Sequence, residues 1–255
     1  MLEKTKEVLE IICNDDLFKN FDIRFVGGTA LSYRINHRLS EDLDFATLNL
    51  SPKEISNMIF KYGGKIIDHD KTMEDYVSND GADINYSYMK FLLNGVKVEF
   101  FTPPFNLFEE EIWKNDKFTY YENSDLKVSS LETLIYMKTM AFWNRKKYRD
   151  LFDIYYVLEK EFITPKKFVN DYLKNHITSN TEHLYRNIQS KDLFYEKDND
   201  EGINTLVKDP KPYDWYRNEI EKYIYKVLLD EIYEKDEELK SWIDFEDDIN
   251  DCFIK

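Results

Sequence analysis

Apolar positions recur over residues 2–14 at helical spacing, with Leu2, Val8, Leu9, Ile11 and Ile12 on one stripe. A short apolar run at 23–26 reads as a strand; it meets Gly27-Gly28, and a helix is expected over about 30–36. Residues 43–48 form a second strand pattern. Ser51-Pro52 then opens a helix, with Ser as cap and Pro at the first position, and Gly63-Gly64 ends it. Further strands are expected at 66–67, 84–93 and 96–101. Asn94-Gly95, the favoured two-residue hairpin turn, joins the last two, and Thr102-Pro103-Pro104 halts the sheet.

From about residue 129 the pattern becomes helical. Ser129-Ser130-Leu131-Glu132 opens a capped helix to about residue 143, a second spans 148–160 and ends before Thr164-Pro165, and a third runs to about 174. The clearest late helix covers 216–234, and 196–202 (EKDNDEG) is a polar loop. The expectation is an α+β chain. A domain of strands and helices covers residues 1–125 and an all-helical domain covers 126–255, joined near 103–128.

Composition narrows the class. With 42% apolar and 16% aromatic residues but seven Gly and six Pro, the chain can fill cores and is not a disordered sequence. No run of about 18 apolar residues suggests a membrane span. The amphipathic start lacks a small-residue cleavage site and does not read as a signal peptide. Cys13 and Cys252 fall in no metal-type spacing, so a reduced cytoplasmic protein is expected.

The net charge is −15, and residues 181–255 hold 11 Lys and Arg against 21 Asp and Glu. A chain this acidic is a poor general binder of polyanions. Contact with RNA should therefore be local, near Arg34, His37 and Arg38 or near Arg145, Lys146, Lys147 and Arg149. The acidic C-terminal region suits either a basic protein partner or a solvated surface.

The candidate chemistry lies in residues 25–46, FVGGTALSYRINHRLSEDLDFA. Asp42 and Asp44 stand two apart in a strand pattern, so their carboxylates project from one face. Acid-x-acid triplets are common in a chain with 50 acidic residues, but here the neighbours Leu43, Phe45 and Ala46 are apolar. Like charges beside a core repel, and a divalent cation such as Mg2+ with hard oxygen ligands removes the conflict. Gly27 and Gly28 would let a phosphate approach the backbone.

Glu99 repeats the anomaly in the strand at 96–101. It either completes a three-carboxylate metal site or lies on the exposed face of an edge strand, opposite Lys97 or Lys90. Lys138, in the otherwise apolar helix LETLIYMKTMAFW, either neutralises phosphate or snorkels to solvent. His37, His69, His176 and His183 form no metal-type spacing and read as surface or structural residues. Together these features suggest a metal-dependent enzyme acting on a nucleoside triphosphate (NTP).

The run GGTALSYRINHRLSEDLDF resembles the nucleotidyltransferases of the AbiEii/AbiGii toxin family, in which a Gly-Gly or Gly-Ser and a helix precede Arg-x-Ser-x-Asp-Leu-Asp-Phe. Arg38 to Phe45 reproduce that pattern without a gap, and Lys138 followed by Arg149-Asp150-Leu151-Phe152-Asp153 looks like the family's second motif. The similarity covers about residues 22–160. It implies the polymerase-β-like nucleotidyltransferase fold, a small mixed sheet flanked by helices, followed by a helical domain. It also implies toxin activity in a toxin–antitoxin or phage-abortive system, with a cognate antitoxin as partner and transfer from an NTP with Mg2+, in some members to the 3′ end of tRNA.

By the same resemblance, Gly27, Gly28 and Thr29 would hold the triphosphate, and Arg38 and Ser40 would shape or contact the phosphate site. Asp42 and Asp44 would bind metal, with Glu99 where members often have Asp. Lys138 would bind triphosphate, and Asp150 would orient it or the acceptor. Alternatively, Arg149 and Asp150 pair at a helix terminus.

Overall fold

The computed structural model describes residues 1–67, 84–103, 110–144, 147–174, 176–190 and 203–253. His69, Pro104, Arg145, Lys146 and the loop 196–202, all singled out in the sequence, lie outside the described residues.

The chain opens with α1 (Glu3–Ile12) and α2 (Asp16–Asn20), then β1 (Arg24–Val26), α3 (Gly27–Ile35), β2 (Leu43–Ala46) and α4 (Pro52–Lys61). Strand β3 (Lys65–Ile66) and the hairpin of β4 (Tyr88–Leu93) and β5 (Val96–Phe101) follow. Next come α5 (Glu110–Asn115) and the short strands β6 (Thr119–Tyr120) and β7 (Lys127–Val128). Among the described residues, seven strands make one mixed sheet in the order β3-β4-β5-β2-β1-β7-β6. The expected α+β architecture is therefore present. Strand β5 lies inside the sheet, parallel to β2 and antiparallel to β4. Glu99 is thus not on an edge strand.

Local sequence explains most boundaries. Asn94 and Gly95 both take positive φ, 50° and 74°, as a primed hairpin turn requires. Gly63 ends α4 with φ 81°. Ser51 stands at the α4 N-cap, but its side chain makes no capping hydrogen bond, contrary to the sequence reading. The expected strand at 84–93 is shorter, because Ile84–Tyr86 form a 3-10 turn before β4. The helix expected over 30–36 begins three residues earlier, at the glycine pair itself.

Helix α6 (Leu131–Asn144) begins at a well-made cap. Ser130 Oγ accepts from the Thr133 amide at 3.2 Å, and Asp116 Oδ1 accepts from the Ser130 amide at 3.0 Å and the Thr133 hydroxyl at 2.8 Å. Asp116 also pairs with buried Arg24 at 3.1 Å, which ties the start of β1 to the α6 N-terminus. The Arg24 guanidinium stacks 4.0 Å from the Trp113 ring centroid.

Helix α7 is Tyr148–Glu159 and contains the boundary between two compact units. One unit is Met1–Asp153 with Glu196–Pro210, and the other is Ile154–Tyr195 with Lys211–Lys255. The first holds the sheet, α6 and the short α10 (Ile203–Leu206), and its core includes Phe18, Phe25, Phe45, Phe91 and Phe100, all buried. In the second, α8 (Pro165–Lys174) and α9 (Thr181–Ser190) pack on α11 (Tyr213–Phe253). Tyr216, Ile220, Ile224 and Val227 form the buried stripe of α11, at helical spacing. Among the described residues no helix is long and apolar enough to cross a membrane.

Candidate active site

The glycine pair lies where β1 turns into α3, and the backbone there is shaped by what it faces. Gly27 has φ +74°, and a Cβ on it would overlap the Asp44 carboxylate. A Cβ on Gly28 would stand 2.6 Å from Arg38 Nη2. Both positions need glycine because charged groups come up against the main chain.

Strand register sets the carboxylates. In the parallel β2–β5 pair, Asp44 stands opposite Glu99, while Leu43 and Val98, their neighbours one step back, point into the core. Alternation puts Asp42, Asp44, Lys97 and Glu99 on the other face. Lys97 Nζ lies 3.0 Å from Asp42 Oδ2 and 3.3 Å from Glu99 Oε1. The Tyr88 hydroxyl donates to the same Glu99 oxygen at 2.6 Å.

The acids are therefore not equivalent. Burial raises the Asp44 pKa to about 7, with the negative charges of Glu99 and Asp42 adding to the rise. Burial also works against ionised Glu99, but the Tyr88 hydrogen bond and the Lys97 charge outweigh it and hold that carboxyl below its usual range. Burial alone would lower Lys97; Glu99 and Asp42 prevail and raise it, so its ammonium stays charged.

A second cluster lies behind the first and is centred on Asp153, whose side chain is fully buried. Arg38 Nε and Nη2 donate to its two oxygens at 2.7 and 3.0 Å. His37 Nε2 lies 2.7 Å from Oδ1, and Lys138 Nζ lies 2.9 Å from Oδ2. Lys138 also donates to Asp150 at 2.7 Å. Burial opposes ionised Asp153, but Arg38, Lys138 and His37 overcome it and hold the carboxyl well below its ordinary value. Burial dominates at His37 and lowers its pKa.

The loop 36–42 that carries Arg38, Ser40 and Asp42 is braced from several sides. The Thr29 hydroxyl is buried; it bonds the Ser40 hydroxyl at 2.7 Å and donates to the Asp42 carbonyl. The Ser32 hydroxyl donates to the Arg38 carbonyl, Thr5 to the Glu41 carbonyl at 2.9 Å, and the Leu39 amide to the Leu206 carbonyl at 2.8 Å.

The predicted site residues thus fall into two neighbouring groups. Gly27, Asp42, Asp44 and Glu99 form the acidic face, and Gly28 and Arg38 link it to Lys138 and Asp150. Lys138 does not snorkel to solvent; it joins the buried cluster. Thr29 and Ser40 bond to each other and to the loop. Arg149 lies 3.6 Å from Glu41, which places its ion pair on the acidic loop. His37 is a buried structural residue. The proposed basic cluster for RNA at Arg34, His37 and Arg38 is not a surface. His37 and Arg38 are buried, and Arg34 donates to the Val128 and Ser129 carbonyls at 2.7–3.0 Å.

In the sequence, Asp153 stands as the last position of the second motif without a role, Lys97 only as a residue facing Glu99, and Tyr88 is not named at all. Lys97 stands two residues before Glu99 on one strand and Asp153 three residues after Asp150 on one helix. The periodicities used for the other residues point to both. Tyr88 carries no such signal.

Three carboxylates on one face, one of them raised by burial and then by its neighbours, are the hard-oxygen set that Mg2+ takes, so the donor chemistry fits. Among the described residues no three His, Cys, Asp or Glu close around one point to hold an ion. Asp42 and Glu99 close on the Lys97 ammonium.

A crystal structure from H. pylori, of a protein described as a nucleotidyltransferase, aligns with 90% of this chain and 98% of its own, with TM-score 0.48 and 17% identity. An uncharacterized protein of Aquifex aeolicus (strain VF5) is 23% identical over 227 residues, covering 87% of this chain and 97% of that protein. The model of the nucleotidyl transferase AbiEii toxin family, of type IV toxin–antitoxin systems, matches residues 8–234. A match over that span, with the acidic strand pair and the Lys138–Asp150–Asp153 cluster inside it, makes this chain a member of the AbiEii toxin nucleotidyltransferase family.

Proposed function

We propose that the protein is an Mg2+-dependent nucleotidyltransferase that moves a nucleotide from an NTP to an RNA acceptor such as tRNA, as the toxin of a toxin–antitoxin pair. The observation that carries the reading is the in-register placement of Asp44 and Glu99, with Asp42 on the same face and the Gly27 backbone against the Asp44 carboxyl.

Asp42, Asp44 and Glu99 would hold the metal. When bound, Mg2+ neutralises the triphosphate and favours the ionised form of an attacking hydroxyl. Glycine at 27 and 28 lets the Asp44 carboxyl and the Arg38 guanidinium come up against the main chain, where a side chain would displace them. Arg38 and Lys138 bring two positive charges to the back of the site, where they fix the loop that carries Asp42 and offset phosphate charge. Asp150 and Asp153 set the positions of those cations. Incubation of labelled NTPs with Mg2+ and total RNA should label an acceptor, and Asp42→Ala or Asp44→Ala should abolish the signal. Absence of transfer from every NTP to RNA, protein and small-molecule acceptors overturns the reading.

One observation favours a second acceptor class. The basic residues expected to meet RNA at 34–38 are buried or bonded to carbonyls, and the chain carries net charge −15. A protein or small-molecule acceptor needs no polyanion-binding surface. The same labelling reaction distinguishes the two by the size and nuclease sensitivity of the product.

A further inference from the structure

We infer that Lys97 is the resident counter-cation of the acidic face, and that a divalent ion reaches Asp42 and Glu99 only by displacing its ammonium. The inference rests on the metal-dependent reading above and adds a residue that regulates how the metal enters.

The geometry carries it. Lys97 Nζ bridges an acid of the 36–42 loop and an acid of its own strand β5, at 3.0 Å from Asp42 and 3.3 Å from Glu99. The Glu99 oxygen it touches already accepts from Tyr88 at 2.6 Å. A magnesium ion binds carboxylate oxygens at about 2.0–2.1 Å, nearly 1 Å closer than the ammonium lies. Two cations cannot share the space between the same two oxygens. The Lys97 side chain is 32% exposed, so its head has a route to water. A flexible four-carbon stem lets a compact ammonium take that route, whereas a guanidinium fork would be harder to move. With Lys97 in place the acids stay gathered without an ion, and the protein's own affinity for a free divalent ion is weakened by the displacement.

The test is titration of Mn2+ followed by electron paramagnetic resonance at pH 8, on the whole chain and on Lys97→Met and Lys97→Arg. Lys97→Met should bind Mn2+ roughly threefold to tenfold more tightly, the range two partly exposed ion pairs are worth. Lys97→Arg should bind Mn2+ no more tightly than the parent, and more weakly to the extent that the guanidinium is harder to displace. Unchanged or weaker binding in Lys97→Met overturns the proposal.

A measurement on the unaltered protein is independent of how the variants fold. Acetylation of Lys97 by a limiting N-hydroxysuccinimide ester, read by mass spectrometry, should rise severalfold with saturating Mn2+. Unchanged or reduced labelling overturns the displacement. Failure of both the parent and Lys97→Met to bind Mn2+ overturns the metal reading itself, whereas binding that ignores Lys97 overturns this inference alone.

Discussion

Arg38 grips Asp153 with two parallel hydrogen bonds, 2.7 and 3.0 Å long, and this buried fork joins the acidic loop to helix α7. Such a pair is geometrically specific, and removing one partner strands a charge in the interior. Asp153→Ala leaves Arg38 and Lys138 facing each other without their shared anion. Urea denaturation should show a loss of about 3–5 kcal/mol. Arg38→Lys keeps the charge but not the fork, and its loss should be smaller.

Acid should weaken the same cluster. Asp153 titrates far below its unfolded value, so its contribution is complete above the unfolded pKa and fades as pH falls below it. His37 is held below its ordinary value by burial. Below about pH 6.5 the unfolded chain takes up that proton more readily than the folded one, which adds to the loss. From pH 7 to pH 5 the melting temperature of the parent should therefore drop relative to that of His37→Gln, while the Asp153 contribution is lost only below about pH 4.

Asp44 acts in the opposite direction. Its folded pKa of about 7 lies above the unfolded value, so the folded chain holds the extra proton between about pH 4 and pH 7. In EDTA this group should destabilise the protein progressively across that window, by on the order of 2–4 kcal/mol before solvent screening reduces it. Asp44→Asn should remove that slope. If Mg2+ binds the acidic face, it should raise the melting temperature more at pH 8 than at pH 6.

The glycines differ in what they do, and one substitution separates them. Gly27→Ala drives a methyl into the Asp44 carboxylate and strains a φ of +74°. It should lower stability by about 1–3 kcal/mol and reduce transfer at least about a hundredfold, through displacement of Asp44. Gly63 has φ +81° but no atom within 4 Å of an added Cβ. Gly63→Ala should show the strain of about 1 kcal/mol and leave transfer unchanged.

The strands and glycines were legible because alternation and turn chemistry are local. The Asn94-Gly95 turn, the β5 span and the α6 start can be read from a few neighbouring residues. Asp42 and Asp44 were recognisable for the same reason. The interior position of β5 could not be read, because strand order depends on pairings between residues over 50 apart in sequence. The sequence therefore left Glu99 open between an edge strand and a metal site. β6 and β7 are two residues each and carry no measurable period; nothing in the sequence says that Lys127–Val128 lies beside β1. The Asp153 cluster assembles from α7, α6 and the 36–42 loop, so tertiary packing alone reveals that Lys138 and His37 share its carboxylate.

The pairing of Asp44 with Glu99 across two hydrogen-bonded strands means that the gap between these acids is measured by the backbone ladder, about 4.8 Å from strand to strand. Segments outside that ladder can lengthen, shorten or change charge while this gap stays fixed. Changes in the peripheral loops can therefore alter what meets this face while the separation of the two carboxylates stays as the paired strands set it.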